Sequence, residues 1–512
     1  MVLAVVAGPV AAGPVAAAGP AVGAPGASTA AAGVDGMAGV WRSDGYGTVL
    51  ALEDGRLREY QTTAVSCLPG DSAQFTGRGA DGTVLYTGAD ETVYRIRAQG
   101  RGRARLHVDG SVGDRRLRRL PALPGRCTQA QPAGARAAFD VFWQTFEENY
   151  PFFAAKHHDW HAVRDRYRAK VHDGMPDGEL FALLRAMVRP LHDAHVFLDA
   201  GDTGFFAQGR PGTAIPSPEL DQQARNYVEQ QDLTGTALQS FAGGRIGYAR
   251  LADGTGYLRI SGFGGYDGVS RAYARDSAVL DGALSEVITP RLKHLILDLR
   301  INGGGSDALA LQVAERLTDH PYLAYAKRTR NNPRDPAGFT RPQPIRVTPA
   351  PGRERYNGPL AVLTGGETYS AGETLTQALM GRPAFTVRVG QNTQGVFSDI
   401  LTRTLPSGWT FGLPDEEYLT PCGTTFDGPG IPPDIRTGDF VHDIGQGTPD
   451  SAFAQALAAL RAHDARPPVP DGPDRKGQGP GRPCPGPTDM GCCGSRSGSS
   501  WERARPWDWP PS

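Results

Sequence analysis

Ser370 occupies a position from which a serine hydroxyl can act as a nucleophile. The apolar run 359–364 predicts a strand, a glycine-containing turn follows, and Leu375 and Leu379 then fall on one face of a predicted helix. A hydroxyl at the start of a helix lies beside free backbone N–H groups that stabilise a developing oxyanion. The same serine also forms an S-x-x-E capping box with Glu373, a purely structural role, and this segment alone favours capping.

A second strand, turn and helix carry three consecutive glycines. The buried run 295–297 leads through Asp298 and Arg300 to glycines at 303–305, and an apolar helical pattern follows from Ser306. Glycines let the backbone pass close to a ligand with its N–H groups exposed, so this loop can bind a phosphate or a tetrahedral oxyanion. The Lys-Ser/Thr pair of a Walker phosphate loop is missing. A plain turn is the structural alternative.

Four short motifs, in order and at matching spacing, resemble the C-terminal processing (tail-specific) and tricorn-core family of serine peptidases. They are DLRINGGG at 298–305, TYSAGE at 368–373, GQNTQG at 390–395 and GIPPD at 430–434. The resemblance extends upstream through the helical pattern of 139–198 and covers residues 136–440. It implies an α/β fold with a Clp/crotonase-like catalytic domain of ββα units, preceded by a helical segment. It also implies acyl transfer with Ser370 as the nucleophile.

The general base is where the sequence departs from the bacterial tail-specific branch. Members of that branch use a Ser/Lys dyad whose lysine comes just after the motif that corresponds to GQNTQG. This chain has Val396 followed by Phe397 there, and no lysine occurs at 328–475. The tricorn branch instead has a histidine in the helical segment, and His195 matches it. Ala194 stands where the tricorn core has a serine, so that member of its tetrad is absent. An imidazole suits a base that takes the serine proton and returns it to a leaving amine.

The resemblance also implies an acidic residue and an oxyanion hole. The acidic member precedes the GIPPD motif by three residues and is Asp427, where the family more often has a glutamate. Its carboxylate is expected to orient His195 and to stabilise the charged imidazole. Glu416 and Glu417 are the reserve candidates. The N–H groups expected to hold the oxyanion belong to Gly303 or Gly304 and to Ala371.

The histidines give little support to a metal site. His192 and His195, and the group of His157, His158 and His161, lack the His-Glu-x-x-His arrangement. No cysteine or carboxylate stands at finger-like spacing to them. We therefore expect ordinary surface or core histidines at the last three positions, and the mechanism implied by the resemblance requires neither a metal nor an organic cofactor.

Length and composition fit a protein of several parts with a sizeable core. The 512 residues carry a formal net charge of −1, so neither nucleic acid nor an anionic membrane is implied as a partner. Short strand patterns with Asp-Gly turns predict a small barrel or sandwich, similar to the lipocalin-like front domain of some relatives. The predicted divisions are a signal-like or disordered leader (1–36), a small β-domain (37–130), a helical segment carrying the base (136–200), a catalytic α/β domain (245–445) and a disordered tail (464–512).

The first part of the chain resembles the apolar stretch and small-residue exit of a secretory signal. It is almost wholly Ala, Gly, Val and Pro, but no Lys or Arg precedes Arg42. Its prolines argue against a membrane-spanning helix. Secretion or a cell-envelope location is the favoured interpretation, and a disordered leader on a cytoplasmic protein is the alternative. In an exported protein Cys67 and Cys127 could form a disulfide, and otherwise they are two free thiols.

The predicted function is that of a serine endopeptidase acting on peptides or proteins without a PDZ domain. Only about sixty residues separate His195 from the strand pattern at 257–260, whereas an inserted PDZ domain needs about eighty to a hundred. Two alternatives stay open. One is a carrier of hydrophobic ligands, as in the retinoid-binding relatives of this fold. The other is an esterase or acyltransferase using the same serine, although Thr368 replaces the first glycine of a Gly-x-Ser-x-Gly elbow.

Overall fold

The structure, a computed structural model, describes residues 36–270, 272–289 and 291–465. The predicted leader (1–36) and the predicted tail (464–512) lie almost wholly outside the described residues. The described chain builds a β-barrel, then a helical segment, and then an α/β unit around a seven-stranded sheet.

Eight antiparallel strands close into the barrel. They are β1 (Gly39–Ser43), β2 (Thr48–Glu53), β3 (Arg56–Thr62), β4 (Cys67–Arg78), β5 (Val84–Gly88), β6 (Val93–Ala98), β7 (Arg103–Val108) and β8 (Arg115–Leu120). Between β2 and β3, Asp54 and Gly55 adopt positive φ angles of 51° and 72°, the hairpin geometry that an Asp-Gly turn predicts. β8 pairs with β1, and alternate apolar side chains fill the interior. The expectation of an all-β N-terminal region is confirmed.

A disulfide and three helices follow the barrel. The disulfide joins Cys67 to Cys127 across a sequence separation of 60 residues and ties β4 to the segment after β8. The helices are α1 (Gly134–Asn149), α2 (Trp160–Arg168) and α3 (Asp177–Val188). The aromatic face of α1 is buried, and its Phe142 and Phe146 pack against Phe411 at ring-centroid distances of 4.9 and 6.0 Å. This contact anchors the helical segment on the α/β unit.

The α/β unit alternates strands and helices along the chain. Its strands are β9 (Phe197–Asp199), β10 (Phe205–Ala207), β11 (Gln239–Phe241), β12 (Ile246–Arg250), β13 (Thr255–Ile260), β14 (His294–Asp298), β15 (Ile301–Asn302), β16 (Tyr322–Thr329), β17 (Gln343–Val347), β18 (Leu360–Thr364), β19 (Glu367–Thr368), β20 (Thr386–Gly390), β21 (Ile400–Thr404), β22 (Thr410–Pro414), β23 (Glu416–Leu419) and β24 (Ile435–Arg436). Its helices are α4 (Pro218–Tyr227), α5 (Tyr273–Val287), α6 (Asp307–Glu315), α7 (Ala371–Met380), α8 (Phe440–Gln446) and α9 (Ser451–Asp464).

The central sheet is covered by helices on both faces. Its strand order is β11-β12-β13-β14-β18-β20-β24, antiparallel at the β11 edge and parallel from β13 onward. Leu295 and Leu297 of β14 face the layer that contains α5, α6 and α7, whereas Ile296 faces α4, α8 and α9. Strands covered on both faces read as continuous apolar runs, which is why β14 and β18 were visible in the sequence.

Three smaller sheets position the remaining parts. β15 and β19 form a two-stranded parallel pair, β17-β16-β23 form one sheet, and β10-β9-β22-β21 form another. The last of these carries β9, which directly follows the loop of His195, onto the α/β unit. Among the helices that the structure describes, none is both long enough and apolar enough to cross a membrane.

Candidate active site

The pairing of β15 with β19 brings the glycine loop against the turn that contains Ser370. Ile301 lies opposite Glu367 and Asn302 opposite Thr368, and the N–H of the following tyrosine donates to the Asn302 carbonyl at 3.0 Å. A Cβ placed on Gly304 would lie 2.6 Å from the Cβ of Ser370. Because real Cβ atoms do not approach that closely, only glycine allows these two loops to meet.

Ser370 has a strained backbone and a hydroxyl that does not cap its helix. Its φ is 51° and its ψ is −118°, and it immediately precedes α7 without a side-chain capping hydrogen bond. Non-glycine residues at such angles cost about 1–3 kcal/mol and concentrate at functional sites. The Glu373 carboxylate instead accepts the N–H groups of Gly395 and Val396 at 2.7 and 2.8 Å. The capping role, which the segment alone favoured, is therefore not what fixes the hydroxyl.

Glu373 is a buried carboxyl behind the Ser370 turn. Burial raises the pKa of Glu373 to about 8, although the hydroxyl of Thr393 and the backbone N–H groups around it act in the opposite direction. Its two amide hydrogen bonds join the start of α7 to the GQNTQG loop. This carboxyl thus holds together two of the four motifs.

The base candidate His195 is buried, with a defined tautomer. Its ring Nδ1 lies 3.1 Å from the Phe397 carbonyl oxygen, and a carbonyl only accepts, so the proton must be on Nδ1. Nε2 then carries the lone pair, and this buried atom has no hydrogen-bond partner in the described chain. Burial lowers the pKa of His195, and the nearby Asp193 carboxylate offsets only part of that effect. The imidazole is thereby kept neutral and able to accept a proton.

Tyr369 links the serine turn to the histidine loop. Its ring meets the His195 ring edge-on at a centroid distance of 5.4 Å, and its hydroxyl donates to the Ala194 carbonyl at 2.6 Å. The structure therefore brings Ser370 and His195 to neighbouring positions in one site. No hydrogen bond joins Ser370 Oγ to His195 Nε2 within the described residues.

Asp427 approaches His195 only through a peptide group. Its Oδ2 accepts the N–H of Phe397 at 3.2 Å, and the carbonyl of that same residue accepts from the imidazole. Burial, together with the charge of Asp193, raises the pKa of Asp427 well above its usual value, while Lys156 acts in the opposite direction. The uncharged form is therefore favoured, and a charged acid in direct contact with the imidazole, as the resemblance implied, is not what this geometry contains.

The reserve acids lie elsewhere. Glu416 forms an ion pair with Lys327 at 2.9 Å, and Glu417 forms one with Arg328 at 2.6 Å. Both pairs cross the β16–β23 ladder. Neither glutamate makes a hydrogen bond to His195 in the described structure.

Asp193 is a site residue that was not predicted from the sequence. Its Oδ1 accepts the backbone N–H of His195 at 3.0 Å, its Oδ2 accepts the Tyr150 hydroxyl at 2.7 Å, and the Lys156 ammonium lies 3.6 Å away. An aspartate two residues before a functional histidine is the signal that could have indicated it, because Asp side chains commonly bond backbone N–H groups two residues on. Asp193 thus fixes the loop from which His195 projects.

The three predicted oxyanion donors differ in availability. The Gly303 N–H donates to the Ser261 carbonyl at 3.0 Å, and the Gly304 N–H donates to Asn302 Oδ1 at 2.9 Å. Ala371 begins α7, so its N–H has no partner inside the helix. Of these three predicted donors, Ala371 is the one whose N–H is available in this conformation, and Gly303 or Gly304 could donate to an oxyanion only by giving up its present hydrogen bond.

Within the part of the chain that the structure describes, no three histidine, cysteine or carboxylate side chains lie close enough together to hold a metal ion.

Two known protein families match parts of the chain. Residues 254–437 match peptidase family S41, and residues 132–189 match the tricorn protease C1 domain. The first match contains the glycine loop and the Ser370 turn, and the second covers the helices that precede His195. Both matches support a likeness of these two regions to the tail-specific and tricorn-core group of serine peptidases.

Two relatives illustrate the extent of the likeness. A carboxy-terminal-processing protease of Bartonella bacilliformis is 26% identical over 186 residues, which cover 36% of this chain and 39% of that protein. The chain thus spans about two fifths of the length of that curated relative. The crystal structure of a candidate peptidase from Parabacteroides merdae is 26% identical, covers 64% of this chain and 97% of its own, and superposes with a TM-score of 0.53.

Proposed function

We propose that the protein is a serine endopeptidase that cleaves peptide bonds through an acyl-enzyme intermediate. The observation that carries this proposal is that one site contains two reactive groups that lack hydrogen-bond partners among the described residues. The Ser370 hydroxyl is held at a strained turn without capping its helix, and His195 Nε2 is buried without a partner while Nδ1 is fixed. A nucleophile beside a base of defined tautomer is the minimum arrangement for acyl transfer.

In the proposed mechanism, His195 Nε2 takes the Ser370 proton as Oγ attacks the peptide carbonyl carbon. The negative charge that develops on the carbonyl oxygen is held by the Ala371 N–H at the start of α7. The imidazolium then gives its proton to the leaving amine, and an ester on Oγ remains. A water molecule, deprotonated by the same Nε2, hydrolyses that ester and restores the serine.

The orienting role proposed for Asp427 is indirect. Its carboxyl accepts the Phe397 N–H, and the Phe397 carbonyl accepts Nδ1–H of His195. Asp427 thereby positions the peptide group that fixes the imidazole tautomer. The imidazolium formed during catalysis is then stabilised by the Phe397 carbonyl and by the charge of Asp193.

The proposed substrates are peptides or proteins that are not selected by a PDZ domain. Between β10 and β11 the described chain forms helix α4 and a π-helical turn at Val228–Asp232, and it contains no strand of the kind that a PDZ domain requires. Secretion or a cell-envelope location is also part of the proposal. The Cys67–Cys127 disulfide supports it, because such bonds persist in oxidising compartments.

The test is labelling by a serine-directed fluorophosphonate probe, followed by mass spectrometry and a peptide cleavage assay. We expect the probe on Ser370, and we expect Ser370→Ala and His195→Ala each to lose nearly all turnover while melting cooperatively. The double variant should be little worse than either single variant, because the pair acts as a unit.

Ser306 is the matched control for this experiment. It begins α6 in the sister strand-turn-helix unit, but its hydroxyl caps the helix by accepting the Leu309 N–H at 3.2 Å. Ser306→Ala should cost about 1 kcal/mol of stability and keep the labelling. Failure of the wild-type protein to label and to cleave any peptide would overturn the proposed function.

A further inference from the structure

Arg245 is a half-buried cation whose side chain has no partner in the described part of the chain. No carboxylate oxygen lies within 4.0 Å of its guanidinium, and the side chain makes no hydrogen bond to another described residue. Every other described arginine or lysine that is not exposed has a carboxylate, a carbonyl or an aromatic ring as partner. An incompletely solvated charge of this kind has unused capacity to bind an anion.

The guanidinium lies over the loop that runs beside the glycine motif. Its Nη1 is 2.8 Å from the position of a Cβ on Gly262, and Nη2 is 4.0 Å from that of a Cβ on Gly265. The absence of a side chain at Gly262 makes the room for it, since a Cβ there would be too close to the guanidinium. The position of that Gly262 Cβ is also 3.4 Å from the Gly304 carbonyl oxygen, and Gly304 in turn contacts Ser370. These contacts connect the guanidinium through Gly262 and Gly304 to Ser370, so the cation lies on the same side of the glycine loop as a peptide bound at that serine would extend.

The acidic group that binds this loop does not neutralise the cation by contact. Asp276, on α5, accepts the N–H groups of Gly265 and Tyr266 at 2.8 and 2.9 Å. Both of its oxygens are thus committed to backbone donors, and it forms no ion pair with Arg245. The positive charge of Arg245 remains available to a ligand that lies along the loop.

We propose that Arg245 binds the carboxylate of a glutamate or aspartate side chain in the peptide substrate, a few residues from the cleaved bond. This inference rests on the proposed peptidase function. A guanidinium offers paired N–H donors that match the two oxygens of a carboxylate. It therefore binds an acidic side chain more tightly than the corresponding amide. The free C-terminal carboxylate of a short peptide has the same chemistry and is the other source to be distinguished.

The test measures binding of fluorescent peptides to the full-length Ser370→Ala protein, in which no cleavage can occur. In one peptide set, glutamate replaces glutamine at each position in turn, and each peptide is made with a free and with an amidated C-terminus. We expect glutamate at one position to tighten binding about tenfold or more, equally with either C-terminus. Adding Arg245→Gln should abolish that difference, and adding Arg245→Glu should transfer the preference to a lysine peptide.

Arg250→Gln is the matched control, because Arg250 lies on the adjoining strand β12 and its guanidinium donates to the Arg291 carbonyl. It should keep the preference for glutamate. A preference that survives Arg245→Gln, that is absent from the parent protein, or that follows only the free C-terminus would overturn the proposal. Probe labelling of Ser370 in the otherwise wild-type Arg245 variants reports the peptidase function separately, so failure of one proposal can be told from failure of the other.

Discussion

The hydrogen bonds behind His195 run through a peptide group. Nδ1–H donates to the Phe397 carbonyl, and the N–H of the same residue donates to Asp427. A carbonyl oxygen carries a partial charge only, so it stabilises an imidazolium less than a carboxylate in the same place would. The full negative charge nearest to the ring is that of Asp193, which also holds the His195 backbone. The Phe397 carbonyl thus orients the imidazole, whereas the charge that stabilises an imidazolium comes mainly from Asp193.

The pH dependence of cleavage should report the His195 imidazole. Burial lowers its pKa, and only the neutral ring accepts the serine proton, so kcat/KM should rise with pH through one ionisation whose midpoint lies below about 6.5. Asp193→Asn should move that midpoint lower, because the carboxylate raises the pKa of His195. The measurement is the pH profile of peptide cleavage, together with a melt of each variant at the same pH values.

Asp427→Asn is the comparison variant for this profile. Burial favours the uncharged carboxyl at this position, and an amide resembles it in shape and charge. The midpoint should therefore move less than in Asp193→Asn. A midpoint well above 7, or a larger displacement in Asp427→Asn than in Asp193→Asn, would assign the charged acid to Asp427 after all.

At the scale of elements, the site lies where the two-residue strands β15 and β19 follow the longer strands β14 and β18. β14 and β18 are neighbours in the parallel sheet, so the loops that follow them are adjacent, and the two-residue pairing of β15 with β19 fixes their register. The long strands were predictable, since the runs 295–297 and 359–364 are continuously apolar. The short pairing was not, because two residues have no measurable period.

The same limit explains which site residues the sequence could indicate. Ser370 and His195 carry reactive side chains at recognisable places, and the structure brings both to one site. Phe397 contributes a backbone carbonyl, and a backbone group cannot be recognised from the residue type. In the sequence this position was notable only because it lacks the lysine of the tail-specific branch. The distance between Asp427 and the imidazole depends on how two loops fold over one another, and no local pattern contains that information.

Tyr369 is the residue by which these elements keep their spacing. Tyr369→Phe removes the hydroxyl that donates to the Ala194 carbonyl and leaves that carbonyl without this donor. We expect kcat to fall about tenfold with KM little changed, because the lost bond sets the position of His195 relative to Ser370. The measurement is steady-state cleavage combined with the rate of probe labelling.

Tyr325→Phe is the control for that substitution. Tyr325 is also fully buried, but its hydroxyl has no hydrogen-bond partner among the described residues. Removing it should leave kcat unchanged and alter stability by less than about 1 kcal/mol. Equal losses of kcat in the two variants would mean that Tyr369 acts only through general packing.

At the scale of the whole molecule, a buried cluster of charges joins the barrel to the α/β unit. The hydroxyl of Tyr46, from the barrel, donates to Glu416 at 2.5 Å, and Glu416 pairs with Lys327 at 2.9 Å. Arg115 lies over the Tyr46 ring at 4.3 Å, and Arg403 donates to the Tyr46 carbonyl. Burial opposes the charge of Lys327, but the carboxylates of Glu416 and Asp399 outweigh it and raise its pKa. These charged groups therefore stabilise the interface between the barrel and the α/β unit.

Glu416→Gln tests whether this glutamate supports the joint or the chemistry. Lys327 would stay buried with Asp399, 4.0 Å away, as its remaining carboxylate, so we expect a loss of about 2–4 kcal/mol in the free energy of unfolding. Glu417→Gln is the control, because its partner Arg328 is 31% exposed, so water can solvate the guanidinium that loses its carboxylate and the loss should be smaller than in Glu416→Gln. Denaturant unfolding measures both losses, and the probe-labelling rate of the folded protein should match the wild type in each variant. A Glu416→Gln protein that melts like the wild type but does not label would show that the acid of the site is Glu416, because only a role at the nucleophile separates labelling from folding.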